Sequence, residues 1–252
     1  MPESYHHVGH NVPKRDGWAK LNADPIFAAD IDLGSPLILK TMRSSRPHAK
    51  IRSIDVRPAL TVPGVVRVFT AADIPGKNLF GIINKDHPLL AEDKVRSTGD
   101  AVALVAAESE EAAAAAVQAI EVDYIDMEAI LDPQKALDPS APLIHPKGNL
   151  LFSRRIERGD VHKALAQSDV VIENIYQTPR LEHAYLEPDA GAGFVDDDGC
   201  LVIYASTQNP HYDHKELVEM LDVPEDKVRI LQAATGGGFG SKLDLNVQGF
   251  IG

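Results

Sequence analysis

Residues 235–242, with the sequence TGGGFGSK, constrain this chain more than any other stretch. Four of the five positions from 236 to 240 are glycine, and without Cβ atoms a ligand can approach the backbone closely. Successive backbone N–H groups in such a loop can bind an anion. The loop follows an apolar-rich strand predicted at 227–231, so the sequence indicates a binding loop where a strand leaves its sheet.

Other interpretations of this loop stay open from its residues alone. A tight turn or a β-bulge would also use glycines. The phosphate-loop pattern GxxxxGK[ST] is not matched, because Ser241 separates Gly240 from Lys242. The dinucleotide fingerprint GxGxxG also fails when it starts at Gly236, since its last position is Ser241. A nucleotide-binding protein that uses the glycine loop nevertheless remains an alternative function.

Length and composition predict a protein of roughly two domains. The chain has 252 residues, and 44% of them are hydrophobic, which allows each domain a core. No apolar stretch approaches the roughly 20 residues of a membrane span, and no signal-peptide pattern opens the chain. We therefore expect a soluble, cytoplasmic protein with no membrane partner. A net charge of −12 argues against a nucleic-acid partner, whose phosphates require clustered Lys and Arg.

The chain offers few residues for thiolate or metal chemistry. Cys200, its single cysteine, cannot form an internal disulfide or supply the ligands of an iron–sulfur cluster. Cys200 follows DDDG at 196–199, a predicted hairpin turn, and we expect no catalytic role for it. His6, His7 and His10 have no Cys or carboxylate beside them at ligand spacing, so we predict no metal site in the amino-terminal arm.

The first half of the chain predicts an amino-terminal arm at 1–20 and a small α/β domain at 21–135. Strands are predicted at 37–42, 49–55 and 65–69, separated by Pro and Gly. A buried strand at 101–107, an alanine-rich helix capped by Ser109 and a strand at 121–124 predict a βαβ unit. Arg46, His48 and Lys50 lie in a turn of this domain and receive no catalytic role.

A linker at 136–149 leads to a second domain at 150–252. Strands are predicted at 150–156, 170–176 and 201–205, with one helix capped by Asp160 and another at 212–221. The segment PRLEHAYLEP at 179–188 concentrates polar and aromatic residues. Its Glu182, His183 and Glu187 have the chemistry of an acid/base group or a metal triad.

The ordered set of STQNP at 206–210, a helix, and GGGFGSK at 236–242 resembles the large, molybdopterin-binding subunit of the molybdenum hydroxylases, the xanthine dehydrogenase and aldehyde oxidase family. The segments SSRPHAKI at 44–51, VPGV at 62–65, LAEDKV at 90–95 and GDAVA at 99–103 resemble the hammerhead-like α/β domain that opens that subunit. The resemblance covers nearly the whole chain but only the first portion of the family's subunit. It implies an α/β (α+β) fold, with a hammerhead-like α/β domain followed by the first part of a mixed α/β molybdopterin-binding domain.

The resemblance implies cofactor-binding residues in the glycine loop. Gly237, Gly238, Phe239 and Gly240 match the family's stretch whose backbone lies against the pterin and the metal, a contact that a bulky Cβ would block. Gln208 of STQNP is a secondary candidate, because its side-chain amide could equally hold a neighbouring backbone segment. Molybdopterin is the implied cofactor, either alone or as a dinucleotide.

Two leucines depart from the family's pattern. Leu181 stands where the family often has a Gln beside the molybdenum, and a leucine cannot form that hydrogen bond. Leu243 stands where purine-oxidising members often carry a substrate-binding Glu, and the adjacent Asp244 is expected to point elsewhere. The second departure favours an aldehyde or another N-heterocycle over xanthine.

The implied reaction is hydroxylation of an aldehyde or an N-heterocycle with water. No catalytic residue is assigned in this chain, because the family's glutamate base belongs to a region beyond the glycine loop. We therefore expect the isolated chain to be inactive and to need the remainder of the molybdopterin subunit, with iron–sulfur and FAD groups in partner subunits. An inactive truncated remnant or a non-catalytic assembly subunit is the alternative.

Overall fold

The computed structural model describes residues 7–252, so His6 lies outside the described residues. The strands are β1 (Ile38–Arg43), β2 (Ala49–Asp55), β3 (Val65–Phe69), β4 (Leu79–Phe80), β5 (His87–Pro88), β6 (Lys94–Val95), β7 (Ala101–Ala107), β8 (Glu121–Asp126), β9 (Gly191–Val195), β10 (Leu201–Ala205) and β11 (Val228–Gln232). The helices are α1 (Gly17–Leu21), α2 (Arg57–Leu60), α3 (Glu110–Ala119), α4 (Val161–Ala166), α5 (Pro210–Leu221) and α6 (Val247–Ile251). Single 3-10 turns lie at Ala28–Asp30, Ala71–Asp73, Lys135–Leu137 and Glu225–Lys227.

The chain divides into two compact units. The first unit contains Pro36–Ala184 and Glu219–Asp222. The second, which we call the loop unit, contains residues up to Ser35 together with Tyr185–Val218 and Val223–Gly252. Within residues 7–252, no helix has both the length and the apolar character needed to span a bilayer.

The first unit contains two three-stranded antiparallel sheets and a short hairpin. In one sheet β7 lies between β1 and β3, and in the other β2 lies between β6 and β8. Strand β7 is buried at every position, as its continuous apolar sequence predicts for a strand covered on both faces.

Helix α3 covers the β7 sheet and begins where the sequence predicts. The Ser109 hydroxyl oxygen accepts a hydrogen bond from the Ala112 N–H at 3.1 Å, which satisfies one of the free donors of the first turn. Ala112, Ala113 and Ala116 are buried in the same core cluster as Val105 of β7. Their small side chains allow the helix to lie close to the sheet, so the prediction of a packing helix is confirmed.

The predicted βαβ unit around α3 is wrong. Strands β7 and β8 lie on either side of the helix in sequence, but they belong to different sheets, and both pair with antiparallel neighbours. Both edges of β7 are occupied by β1 and β3, so β8 finds its hydrogen-bond partner in β2 instead. The sequence predicts where the strands and the helix form, but not which strands pair with each other.

The strands predicted at 150–156 and 170–176 are also wrong. Residues 151–180 are exposed throughout, and α4 is the only regular element in this stretch, with Asp160 Oδ1 accepting from Lys163 N at 2.9 Å as the sequence predicts. Ile172 and Ile175 are 76% and 97% exposed. A strand needs a neighbour for its backbone groups, and among residues 7–252 neither stretch has one.

The loop unit is built on a three-stranded sheet with β10 at its centre. Strand β9 pairs antiparallel with β10 through a turn in which Gly199 N donates to Asp196 O at 2.9 Å, which confirms the predicted hairpin. Strand β11 pairs parallel with β10, and α5 provides the crossover connection that parallel strands require. Cys200, at the start of β10, is buried.

Candidate functional site

The glycine loop begins just beyond the end of β11, where the backbone is held on two sides. Ala233 N donates to Ala205 O at 3.0 Å, which continues the contact with β10. Ala234 N donates to Ile26 O at 3.2 Å, and Ala234 forms a parallel bridge with Phe27. The strand therefore delivers the loop from a fixed point, as the sequence predicts.

The loop adopts backbone conformations that favour glycine. Gly237 and Gly240 have φ angles of 109° and 101°, in the region that L-residues with a Cβ rarely adopt. Phe239 also has a positive φ, of 50°, and its side chain is 75% exposed. A Cβ on Gly240 would meet no atom within 4 Å, so open space adjoins the backbone at this position.

Three successive backbone N–H groups in the loop make no hydrogen bond within residues 7–252. They belong to Gly237, Gly238 and Phe239. The N–H groups on either side are paired, since Gly236 N donates to Glu187 Oε2 at 2.7 Å and Gly240 N donates to Gln208 Oε1 at 3.0 Å. Residues 237–239 are thus flanked by two hydrogen-bonded N–H groups, and they offer a row of three donors to an anionic or polar ligand.

Gln208 holds the glycine loop in place. Besides accepting from Gly240 N, it donates its own backbone N–H to Lys242 O at 2.8 Å. A Cβ on Gly238 would lie 2.5 Å from Gln208 Oε1, so this contact requires glycine at position 238. Holding a neighbouring backbone segment was one of the two roles predicted for this amide, and its contact with a cofactor stays a prediction.

A buried ion pair lies beneath the loop. Lys242 Nζ lies 2.9 Å from Glu187 Oε2, and the two side chains are 1% and 12% exposed. The ammonium group also donates to Glu187 O at 2.9 Å and to Ser206 Oγ at 2.8 Å, and these contacts use its three N–H groups. Ser206 Oγ in turn donates to Glu187 Oε2 at 2.8 Å.

The contacts of Glu187 hold it in its charged form. Burial raises the pKa of this carboxyl, but hydrogen bonds from the Gly236 N–H, Lys242 and Ser206 outweigh the effect and lower the pKa below its ordinary value. Sequence analysis missed this pair. Glu187 and Lys242 are 55 positions apart, and no spacing rule links residues so distant.

The environment of Lys242 argues against a nucleotide-binding loop. A phosphate-binding lysine extends its ammonium group toward the ligand. Here the ammonium group is buried, all three of its N–H groups are used, and the Tyr185 ring lies 4.6 Å from Nζ. The sequence matches neither nucleotide-binding pattern and the lysine is buried, and both findings argue against a nucleotide-binding loop.

The sequence candidates Leu181, Glu182 and His183 lie outside the loop unit. Glu182 and His183 are exposed members of the first unit, and their side chains are 3.6 Å apart. No group of three or more His, Cys, Asp or Glu is arranged to hold a metal in the described part of the chain, so the metal-triad interpretation is wrong there. Leu181 is 83% exposed in a stretch without regular structure.

Leu243 and Asp244 follow the loop directly. Leu243 is 38% exposed, and its N–H donates to Gly240 O at 3.3 Å. Asp244 accepts from the Tyr212 hydroxyl at 2.9 Å, with Tyr212 lying on α5. The carboxylate is therefore held against the helix, and the roles predicted for Leu181 and Leu243 stay predictions.

Two family models match the chain. One describes a molybdopterin cofactor-binding domain and matches residues 144–250. The other describes the a/b hammerhead domain of aldehyde oxidase and xanthine dehydrogenase and matches residues 22–128. The chain belongs to the molybdenum hydroxylase family. It corresponds to the amino-terminal portion of the molybdopterin-binding subunit, as the resemblance implied, and its cofactor is molybdopterin.

Individual molybdenum hydroxylases give the same result. The nicotinate dehydrogenase large molybdopterin subunit of Eubacterium barkeri is 45% identical over 98% of this chain and 58% of its own length. A probable xanthine dehydrogenase subunit of Bacillus subtilis is 41% identical over 94% of this chain and 32% of its own. Among solved structures, the aldehyde oxidoreductase of Desulfovibrio gigas matches with a TM-score of 0.86 and 28% identity, over 95% of this chain and 28% of that one.

These comparisons confirm the fold class predicted from the sequence. The chain combines a hammerhead α/β domain with part of a mixed α/β molybdopterin-binding domain, as molybdenum hydroxylases do. It spans less than two thirds of the length of the relatives that it matches.

Proposed function

We propose that this chain forms part of the molybdenum-cofactor subunit of an oxidoreductase that hydroxylates an aldehyde or an N-heterocycle with water. The observation that carries the proposal is the row of three unpaired N–H groups at 237–239, fixed between two paired ones. Molybdopterin carries phosphate and ring acceptor atoms, which such a row of donors can bind.

The glycine loop supplies the binding chemistry of this chain. The N–H groups of Gly237, Gly238 and Phe239 would donate to the cofactor, and the bare Cα of Gly240 leaves room for it. Gln208 would keep the row in position through Gly240 N. The molybdenum held by molybdopterin, in its simple form or as a dinucleotide, would supply the two-electron redox chemistry of hydroxylation.

The residues after the loop support the proposed substrate class. Leu243 offers an apolar side chain where a purine-oxidising member carries a carboxylate, and Asp244 is held by Tyr212. An aldehyde or an N-heterocycle other than xanthine fits this chemistry best. A nicotinate dehydrogenase among the relatives supports the heterocycle, and an aldehyde oxidoreductase among the similar structures supports the aldehyde.

The exposed segment at 151–180 supports the need for further protein. It carries large apolar side chains in open solvent, including Ile156 at 94% and Ile175 at 97% exposure. So many large apolar side chains exposed within one segment favour a protein contact. We assign it to the remainder of the molybdopterin subunit, with iron–sulfur and FAD groups in other subunits.

The cytoplasmic location and the domain boundaries at 21–135, 136–149 and 150–252 belong to the same proposal.

Metal analysis of the native complex tests the function. A tag on this chain is used to purify the complex from its host, and molybdenum and pterin are measured against the chain. We expect about one molybdenum per chain, with further subunits present. A complex that contains neither molybdenum nor pterin would refute the proposal and favour a non-catalytic assembly subunit. Calorimetric heat with ATP or NAD would instead favour a nucleotide-binding protein.

A matched pair of glycine variants tests the loop itself. Gly240 and Gly34 both lie in the loop unit, both have a positive φ, and an added Cβ on either meets no atom within 4 Å. Gly240→Ala and Gly34→Ala should therefore each lose about 1 kcal/mol of stability through backbone strain. Only Gly240→Ala should lose molybdenum. Equal molybdenum contents in the two variants would contradict the placement of the cofactor beside Gly240.

A further inference from the structure

We propose that Glu187 and Lys242 form a positioning pair that sets the glycine loop for its cofactor; this inference rests on the proposed function. The two side chains are largely buried, Lys242 is the last residue of the loop, and Glu187 contacts it there. Glu187 Oε2 accepts three hydrogen bonds, from Gly236 N at 2.7 Å, Ser206 Oγ at 2.8 Å and Lys242 Nζ at 2.9 Å.

The pair joins the two ends of the loop. Gly236 opens the loop and donates its N–H to the Glu187 carboxylate. Lys242 ends the loop and donates to the same carboxylate oxygen. One carboxylate oxygen thus contacts both Gly236 and Lys242, and the three unpaired N–H groups lie in the chain between these residues.

The first glycine of the loop is explained by this contact. A Cβ on Gly236 would lie 2.6 Å from Glu187 Cβ, which is closer than any ordinary packing distance. Gly236 does not have a positive φ, so backbone conformation does not require glycine there. Glycine at 236 is needed because the Glu187 side chain passes directly beneath it.

Stability alone does not account for a buried ion pair. Replacing such a pair by apolar side chains of similar volume is often neutral or stabilising, because two charges no longer have to leave water. Here Glu187 Oε1 is also buried without a hydrogen-bond partner among residues 7–252. An arrangement with these costs is explained if the carboxylate serves to hold Gly236 N and Lys242 at fixed positions.

The decisive variant replaces the whole pair. In Glu187→Met with Lys242→Met, no charge is left buried alone, so the melting temperature should match or exceed that of the wild type. The tether on Gly236 is nevertheless gone. Hydrogen exchange of the peptide covering residues 233–243 should quicken at Gly236 by about tenfold or more, the effect of losing one charge-assisted hydrogen bond. Molybdenum per chain in the purified complex should fall to less than half.

Two further variants separate positioning from general damage. Glu187→Gln keeps an oxygen acceptor for Gly236 N and should retain more than half of the wild-type molybdenum. Lys40→Met removes the lysine of an exposed ion pair with Glu110 in the first unit and should change neither exchange in the loop nor molybdenum content. If the double variant does not fold, Glu187→Gln decides alone, because it should keep both the protection of Gly236 and most of the molybdenum.

The outcomes distinguish this inference from the proposed function. A folded double variant with wild-type molybdenum content would overturn the positioning role, whatever its exchange rate. A Glu187→Gln variant that loses more than half of its molybdenum, with Gly236 still protected, would overturn it as well. A wild-type complex without molybdenum would refute the proposed function, and unchanged exchange at Gly236 in the double variant would then refute the tether independently.

Discussion

Asp213 is a carboxyl group whose ionisation should oppose folding at neutral pH. It lies on α5, is fully buried, and accepts a hydrogen bond from Thr207 Oγ1 at 2.5 Å. Its second oxygen has no partner among residues 7–252. Burial, aided by the charge of Asp244, raises the pKa of Asp213 from 3.8 to about 6 despite the Thr207 hydrogen bond.

The size of the effect follows from the two pKa values. The gap between 3.8 and about 6 corresponds to about 3 kcal/mol, at about 1.4 kcal/mol for each unit of pKa. A raised pKa means that the folded state binds the proton more tightly than the unfolded state. The stabilisation is therefore fully present below pH 3.8 and is lost as the pH rises through about 6.

The Asp213→Asn variant removes this titration. Its free energy of unfolding relative to wild type should rise by about 2 kcal/mol between about pH 4 and about pH 7.5, because at pH 4 the unfolded-state carboxyl is already partly ionised. Urea unfolding followed by circular dichroism, repeated across this range, measures the difference, and each transition is fitted separately if the two units unfold apart. Comparing two proteins at each pH cancels the titration of the groups that do not interact with Asp213.

The exposed Asp226 provides the control. The Asp226→Asn variant removes one carboxylate from an exposed position, and its pH profile is the reference against which the Asp213→Asn profile is compared. A difference between Asp213→Asn and wild type that stays constant within about 0.5 kcal/mol would refute the reasoning, since the measured pKa gap would then be close to zero.

Two further predictions concern packing and capping. A Cβ on Gly193 of β9 would lie 2.4 Å from Ile251 Cγ2 on α6. Gly193→Ala should therefore lower the free energy of unfolding, measured in urea, by about 1 to 3 kcal/mol. In the control Gly17→Ala, the nearest atom to the added Cβ is 3.6 Å away, so the change should be neutral or stabilising. A cost below that of Gly17→Ala would contradict the packing. Ser109→Ala should cost about 1 kcal/mol by removing the cap of α3, and Ser109→Thr should restore most of it; equal losses in both variants would argue against the hydrogen bond to Ala112 N.

Sequence reasoning succeeded where neighbouring residues decide the structure. The Ser109 cap, the turn at Asp196–Gly199 and the end of β11 before the loop all depend on contacts within a few positions, and all were predicted. It failed at 150–156, 170–176 and the supposed βαβ unit. A strand forms only beside a strand that pairs with it, and an apolar run in the sequence does not show which strand that is.

The sequence by itself determined the family, the fold class and the place of the loop. The glycine run, the strand before it and the helix are each recognised from neighbouring residues, and they keep their order along the chain. Only the tertiary structure revealed what lies beneath the loop. Gln208, Glu187 and Lys242 come from separate parts of the chain, and the folding of the loop unit brings them within hydrogen-bond distance of the loop and of one another. A buried charge must find a partner in space, and sequence distance carries no information about which one it finds.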